Sequence, residues 1–173
     1  MPSSERGRRR YDARAMPTPR PQSADCIFCA ITRGDAPATF VHQDEMIVAF
    51  MDIRPVQPGH LLVVPRAHAE LIQDLDEQSL ESLWSVATSL NRALRASSLL
   101  VEAVSVYVAD GAAAGQEVAH VHIHLIPRHS HDGFGFRFPP GYGKEPGRAQ
   151  LGAVADQIRP QILPPNGAET SGR

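Results

Sequence analysis

His120, His122 and His124 alternate with Val121, Ile123 and Leu125 in the run His120-Val121-His122-Ile123-His124-Leu125-Ile126-Pro127, so three of the chain's eight histidines fall within five residues. In an extended strand successive side chains point to opposite faces. The three rings then share one face at intervals of roughly 7 Å, and the aliphatic residues pack behind them. An imidazole titrates near neutral pH and serves as nucleophile, acid, base or metal ligand. Three on one rigid face can attack an electrophile, coordinate a metal or hold a polyanion. A purification tag would not be interleaved with β-branched residues.

A phosphoanhydride or phosphoramidate is cleaved in two easier steps when a neutral imidazole attacks phosphorus and water later releases it. That chemistry needs a nucleophile whose second nitrogen is engaged, donors for the non-bridging oxygens and an acid for the leaving group. Just ahead of the histidine run, Gly111-Ala112-Ala113-Ala114-Gly115-Gln116 is a small-residue loop whose amide N–H groups can line a phosphate without any lysine. Cys26-Ile27-Phe28-Cys29 offers two thiolates at a spacing that grips one tetrahedral metal, and with no third cysteine histidines must complete the set. Two buried structural thiols are the other reading. A redox pair would want a thioredoxin-like context after a strand, and none is visible.

The elements that must position these groups follow from apolar periodicity. Residues 26–32 read as a short helix stopped near Gly34, and 39–42 and 46–51 as two strands of a hairpin around Gln43-Asp44-Glu45. Residues 61–65 are apolar throughout and read as a central strand, with His60 opening it after the Pro58-Gly59 turn. One long helix is predicted over 76–96, with Leu80, Leu83, Trp84, Ala87, Leu90 and Leu94 forming a single buried stripe. Residues 103–109 and 119–127 read as the fourth and fifth strands, 132–143 as a Gly-, Phe- and Pro-rich loop, and 148–158 as a last helix ended by Pro160. Its apolar residues are Leu151, Val154, Ala155 and Ile158. A five-strand meander with one long helix across a face is an α+β arrangement. The expected organisation is a tail over 1–22, a domain over 23–145, and a C-terminal helix and frayed tail over 146–173.

At 173 residues the chain suits one domain with flexible ends, and its net charge of −2 argues against a bulk nucleic-acid binder. The charge is uneven. Residues 1–22 hold six arginines against Glu5 and Asp12, with four prolines and no apolar period, and read as disordered. The rest holds 11 basic and 17 acidic residues, so a phosphate ligand must be gathered by local donors and not by global steering. No apolar run reaches transmembrane length and no hydrophobic stretch follows the N-terminal arginines, which leaves no membrane association and makes the cytoplasm the expected location. Two cysteines do not build an extracellular disulfide framework.

The alternating histidines resemble the signature of the histidine triad (HIT) family of nucleotide-binding hydrolases and transferases. Four further segments are similar to that family in order: Ala24 to Ile31, Ala49 to Pro55, Pro58 to Pro65, and Gly111 to Gln116. The resemblance covers roughly residues 24–140 and, with its Cys-x-x-Cys pair, points to the bacterial Hint-like branch. It implies a HIT-like fold with a five-stranded antiparallel sheet, one long packed helix and short terminal helices, commonly as a homodimer. It also implies roles. His122 would be the nucleophile that forms a nucleotidyl-enzyme, with His124 and His60 as donors beside the phosphate and Gln116 aiding the leaving group. Asp52 would take the ribose hydroxyls, although it can equally cap a turn before Pro55. Ile53 would lie against the base, with Gly115, Gln116 and Glu117 bordering the phosphates of a purine nucleotide. Phe28 and Phe50 can wall the site, with core packing the readier reading for both. Cys26, Cys29, His68 and His120 would hold a structural zinc, and the nucleophile itself would need no divalent ion. Two departures stand out: Glu117 where many relatives have Ser or Thr, and Ala109 where Asn is common.

Three functions remain open on these residues. The first is a hydrolase or transferase acting on a nucleoside phosphoramidate, dinucleoside polyphosphate or adenylylated compound. The second is a zinc hydrolase using His120, His122 and His124. The third is a nucleotide-binding regulatory module with negligible turnover.

Overall fold

The computed structural model describes residues 23–162 apart from Phe136. The arginine-rich segment 1–22 and the C-terminal tail beyond 162 therefore lie outside the described residues. The chain divides into two compact units, one running to Phe134 and the other starting at Gly135.

The first unit opens with helix α1 (Ile27–Arg33), one residue later than the sequence suggests because Cys26 is extended at its N-terminus. Gly34 ends it at φ +85°, a conformation that suits glycine. Strands β1 (Phe40–Gln43) and β2 (Ile47–Met51) form the expected hairpin. Asp44 sets its turn by accepting from the Met46 and Ile47 N–H groups at 2.8 and 2.6 Å. Strand β3 (Leu61–Pro65) is buried at every position and sits in the middle of the sheet. Helix α2 (Glu77–Ala96) starts at Asp76, whose carboxylate accepts from the Ser79 N–H at 2.7 Å. Strands β4 (Ala103–Tyr107) and β5 (Ile123–Arg128) complete the sheet.

All four pairings are antiparallel, but the spatial order is β1-β2-β3-β5-β4 and not the meander expected from the sequence. The chain crosses through α2 to the sheet edge, then β5 returns between β4 and β3. Alternation along the strands gives each face its own residues. Ile47, Ala49, Leu61, Val63, Ile123 and Leu125 face α2 and pack with its Leu83, Ala87 and Leu94. Val48, Phe50, Leu62 and Val64 face the other way and pack with Phe28 and Ile31 of α1.

Two further details differ from the sequence reading. Trp84 is 42% exposed, because it lies one step round the helix from the Leu83–Ala87 line and falls at the stripe's edge. Strand β5 begins at Ile123 rather than 119, so His120 and His122 precede the ladder. There the Val121 N–H donates to the Ala69 carbonyl at 2.8 Å, tying the run to the segment after β3 instead of to a strand neighbour. The alternation survives, since Val121 joins Ile123 and Leu125 in the core.

In the second unit, helix α3 (Arg148–Ile158) forms where its period predicts, and Pro160 turns its end into a 3-10 turn over Arg159–Gln161. Its Leu151, Val154 and Ile158 are exposed.

Candidate functional site

On the α1 face of the sheet the histidine run divides between two sites. The first collects Cys26, Cys29, His68 and His120, whose ligand atoms all lie within 4.8 Å of one another. The His120 Nδ1 lies 3.4 Å from the Cys26 Sγ, 3.6 Å from the Cys29 Sγ and 3.3 Å from the His68 Nδ1, which is itself 3.3 Å from the Cys29 Sγ. A tetrahedral zinc with Zn–S of about 2.3 Å and Zn–N of about 2.0–2.1 Å requires S···N separations of roughly 3.5 Å and N···N of roughly 3.3 Å. The four residues fit that demand. The His120 Nε2–H donates to the Pro65 carbonyl at 2.9 Å, which leaves Nδ1 as a bare lone pair aimed at the cluster. Cys29 and His120 are fully buried, and burial raises the Cys29 thiol pKa and pushes His120 down to about 4. These contacts span α1, the segment after β3 and the approach to β5.

The second site is a cavity of about 720 Å³, lined by His60, His122 and His124 together with Asp52, Ile53, Gly115 and Glu117. The His122 Nδ1–H donates to the His120 carbonyl at 2.7 Å, and since a carbonyl only accepts, Nε2 is left as the lone-pair nitrogen. Phe28 packs edge-on against the same ring at 5.1 Å between centroids. His60, ahead of β3, accepts from the Val56 N–H through Nδ1 at 3.2 Å. It therefore donates through Nε2 to the His124 Nδ1, 2.9 Å away. That relay leaves the His124 Nε2 carrying hydrogen, so His124 is a donor. Its ring lies 4.8 Å from that of His122.

Burial is the first cause of depressed basicity throughout. It holds His60 and His122 below the ordinary histidine pKa, opposed in both by the Asp52 charge, and takes His124 down to about 4 with the neighbouring His122 and His60 adding to it. All three rings are neutral near pH 7. Asp52 follows β2, with Oδ1 accepting from the Arg54 N–H at 2.7 Å and Oδ2 3.4 Å from the His60 Nδ1. Ile53 is 91% exposed at the opening, an apolar surface without cover from the described chain. Phe28 and Phe50 do both jobs weighed for them, being buried in the core and lining the cavity.

The glycine loop behaves differently from the expectation of free phosphate-facing amides. The N–H groups of Ala114, Gly115 and Gln116 donate to the Gly111 and Ala112 carbonyls. The Gln116 side chain braces the loop, accepting from the Gly111 N–H at 2.9 Å and donating to the Glu70 carbonyl at 2.8 Å. It is not among the residues lining the cavity, which Gly115 and Glu117 border.

Sequence reasoning missed Tyr107, Arg54 and Phe134, all of which line the cavity. Tyr107 faces His124 across the β4–β5 register, and its hydroxyl donates to the Ala114 carbonyl at 2.8 Å. Phe134 is held by the Arg128 guanidinium, which bonds its carbonyl and lies 4.9 Å from its ring centroid. No local signal marks these residues, because register and loop return are long-range facts.

A profile of the HIT domain matches residues 33–131, more than half of the chain. The chain belongs to the HIT family. A HIT-like protein of Borreliella burgdorferi is 42% identical over 114 residues, 65% of this chain and 82% of the relative. The adenylylsulfatase HINT3 of Arabidopsis thaliana is 32% identical over 108 residues, 62% of this chain and 54% of the relative. Among solved structures, a zinc-bound histidine triad family protein from Mycobacterium smegmatis superposes with a TM-score of 0.62 at 34% identity, covering 80% of this chain and 98% of that one. The HIT family thus includes hydrolases, and a zinc-bound member shares this fold.

One of the three sequence readings fails on geometry. Among the described residues, His120, His122 and His124 do not form a common metal cluster. His120 turns its Nδ1 to the cysteines, while the His122 Nδ1 is spent on a carbonyl.

Proposed function

We propose that this HIT protein is a nucleotide hydrolase or transferase that works through a covalent nucleotidyl-histidine on His122. The observation that carries this reading is the bond from the His122 Nδ1–H to the His120 carbonyl, which leaves a neutral ring with a bare Nε2 in a cavity walled by two further histidines. The Nε2 lone pair forms an N–P bond to the α-phosphorus of a purine nucleoside phosphoramidate, dinucleoside polyphosphate or adenylylated compound. The bond to the leaving group breaks with its electron pair, and the leaving group departs with a proton taken from solvent water. Water then adds to phosphorus, the N–P bond breaks, and the ring recovers its lone pair as the water's proton is lost. His124 and His60 stabilise the non-bridging oxygens through the donor relay described above. Asp52 takes the ribose hydroxyls and Ile53 covers the base. Gln116 acts as a loop brace toward the leaving-group side.

Cys26, Cys29, His68 and His120 hold a structural zinc in this reading, supported by the fit of their separations. Bound there, zinc supplies a cross-link and no reacting ligand. A homodimer in the cytoplasm completes the proposal. The exposed edge strand β4 with Val106 and the neighbouring Trp84 of α2 support the dimer, and no described helix is long and apolar enough to cross a membrane.

The competing reading is a binding module without turnover. With His122→Ala, nucleotide affinity by calorimetry is expected to stay within about fivefold while turnover falls by 10³ or more. Equal loss of both would point to a folding role, and no turnover in the wild type with intact binding would favour the module.

A further inference from the structure

The chain after β5 is fastened more closely than an exposed loop requires. Arg128 closes the strand, and period two puts it on the face that carries His124 and Ile126, both of which line the cavity. Its guanidinium grips the Asp132 carboxylate at two points, Nε on Oδ2 and Nη2 on Oδ1. A further bond runs from Nη1 to the Ser105 Oγ of β4 at 2.9 Å. The Asp132 side chain is only 4% exposed, and the Arg128 bond holds its carboxyl well below the usual carboxylate range.

That grip ends on Phe134. Its N–H donates to the Asp132 Oδ1 at 3.0 Å, its carbonyl accepts from the Arg128 Nη2, and its ring stands 4.9 Å from the guanidinium. Backbone donor, backbone acceptor and ring are all tied to one ion pair. The chain reaches this arrangement through left-handed backbone at His131, φ +66°, and Gly133, φ +74°. A histidine takes that conformation at a cost, so its surroundings must hold it there. The Gln57 side chain adds a tie from the turn ahead of β3, donating to the Asp132 carbonyl at 3.1 Å. Phe134 nevertheless stays 41% exposed, so core burial does not account for the fastening. Its ring lines the cavity that holds His60, His122 and His124.

Resting on the nucleotide reading above, we propose that Arg128 and Asp132 are positioning residues: they clasp the chain after β5 so that the Phe134 ring stands as an apolar wall of the cavity and packs against its occupant. A wall fixed in advance spares the ligand the cost of ordering the loop on binding. The clasp itself touches none of the three histidines, so it acts on binding and not on the chemistry at phosphorus.

The test measures KM and kcat for adenosine 5′-phosphoramidate, and AMP affinity by calorimetry, in the full chain. The variants are Phe134→Ala, Arg128→Gln, the two combined, and Ser130→Ala. Phe134→Ala and Arg128→Gln are each expected to raise KM and the AMP dissociation constant by about threefold to tenfold, with kcat moving by less than about twofold. The combined variant is expected to be no worse than the poorer single one, because the clasp works only through the ring. Ser130→Ala removes a 2.6 Å bond to Glu102 in the same loop without touching the clasp, and leaves KM unchanged. Multiplying losses in the combined variant, or an equal rise of KM in Ser130→Ala, would show general loosening of the loop and overturn the proposal. Asp132→Asn takes the place of Arg128→Gln in the cycle if the latter folds poorly. Unchanged KM and AMP affinity in Phe134→Ala overturn this inference alone. Failure of the wild type to bind AMP overturns the nucleotide reading, and this inference with it.

Discussion

A histidine attacks phosphorus only with a bare nitrogen in a neutral ring, and His122 owes both conditions to its surroundings. The His120 carbonyl engages one nitrogen, and burial keeps the proton off the other. The same burial makes the site tolerant of acid. His124 titrates at about 4, well under the ordinary value of about 6.5. A rate profile is therefore expected to stay level through the ordinary histidine range and to fall only below it. An acidic limb centred near the ordinary histidine value would contradict it. Stability carries the same sign: a ring that is neutral when folded and protonates more readily when unfolded favours the fold fully above about pH 6.5. That contribution is lost as pH falls through about 4. Chemical denaturation across that window reads the loss directly.

At the scale of elements, short turns do the aiming. Gly59 sits at φ +90° ahead of His60, and a Cβ there would come 2.7 Å from the Leu99 Cδ1 and 3.1 Å from the Pro127 Cγ. Gly59→Ala is expected to destabilise by roughly 1–3 kcal/mol through strain and overpacking, and to lower turnover by displacing His60. Unaltered stability by urea titration would refute this account of the turn. Much at this scale was legible in the sequence. The boundaries of β3 and α3 follow from apolar period and end signals, because those forces act over a few residues. The start of β5 and the order of the strands were not legible. The first depends on Ala69 reaching the Val121 N–H, and the second on a crossover that local pattern does not encode. Gln116 shows the same limit, since its brace to Glu70 spans 46 residues.

For the molecule as a whole, the histidine run couples two sites through one backbone. His120 belongs to the cysteine cluster, and its carbonyl orients His122. A metal at the cluster would pin α1 to the sheet and steady His122, the proposed nucleophile, without lining its cavity. Cys26→Ser is expected to lower zinc content, measured by elemental analysis, and to lower Tm by roughly 5 °C or more. The rate per folded molecule should change far less. Equal Tm values for the two proteins, with or without chelator, would argue against a structural metal. The sequence exposed the Cys-x-x-Cys pair and the histidines, but Arg54 and Glu117 come together only in the fold.

The proposed chemistry stands on a covalent bond between His122 and phosphorus. Rapid acid-free quenching of the wild type with adenosine 5′-phosphoramidate, followed by intact-mass and peptide mass spectrometry, is expected to show one adenylyl group on the peptide carrying His122, absent in His122→Ala. Turnover with no adduct under any quench time, or an adduct on another residue, would contradict it.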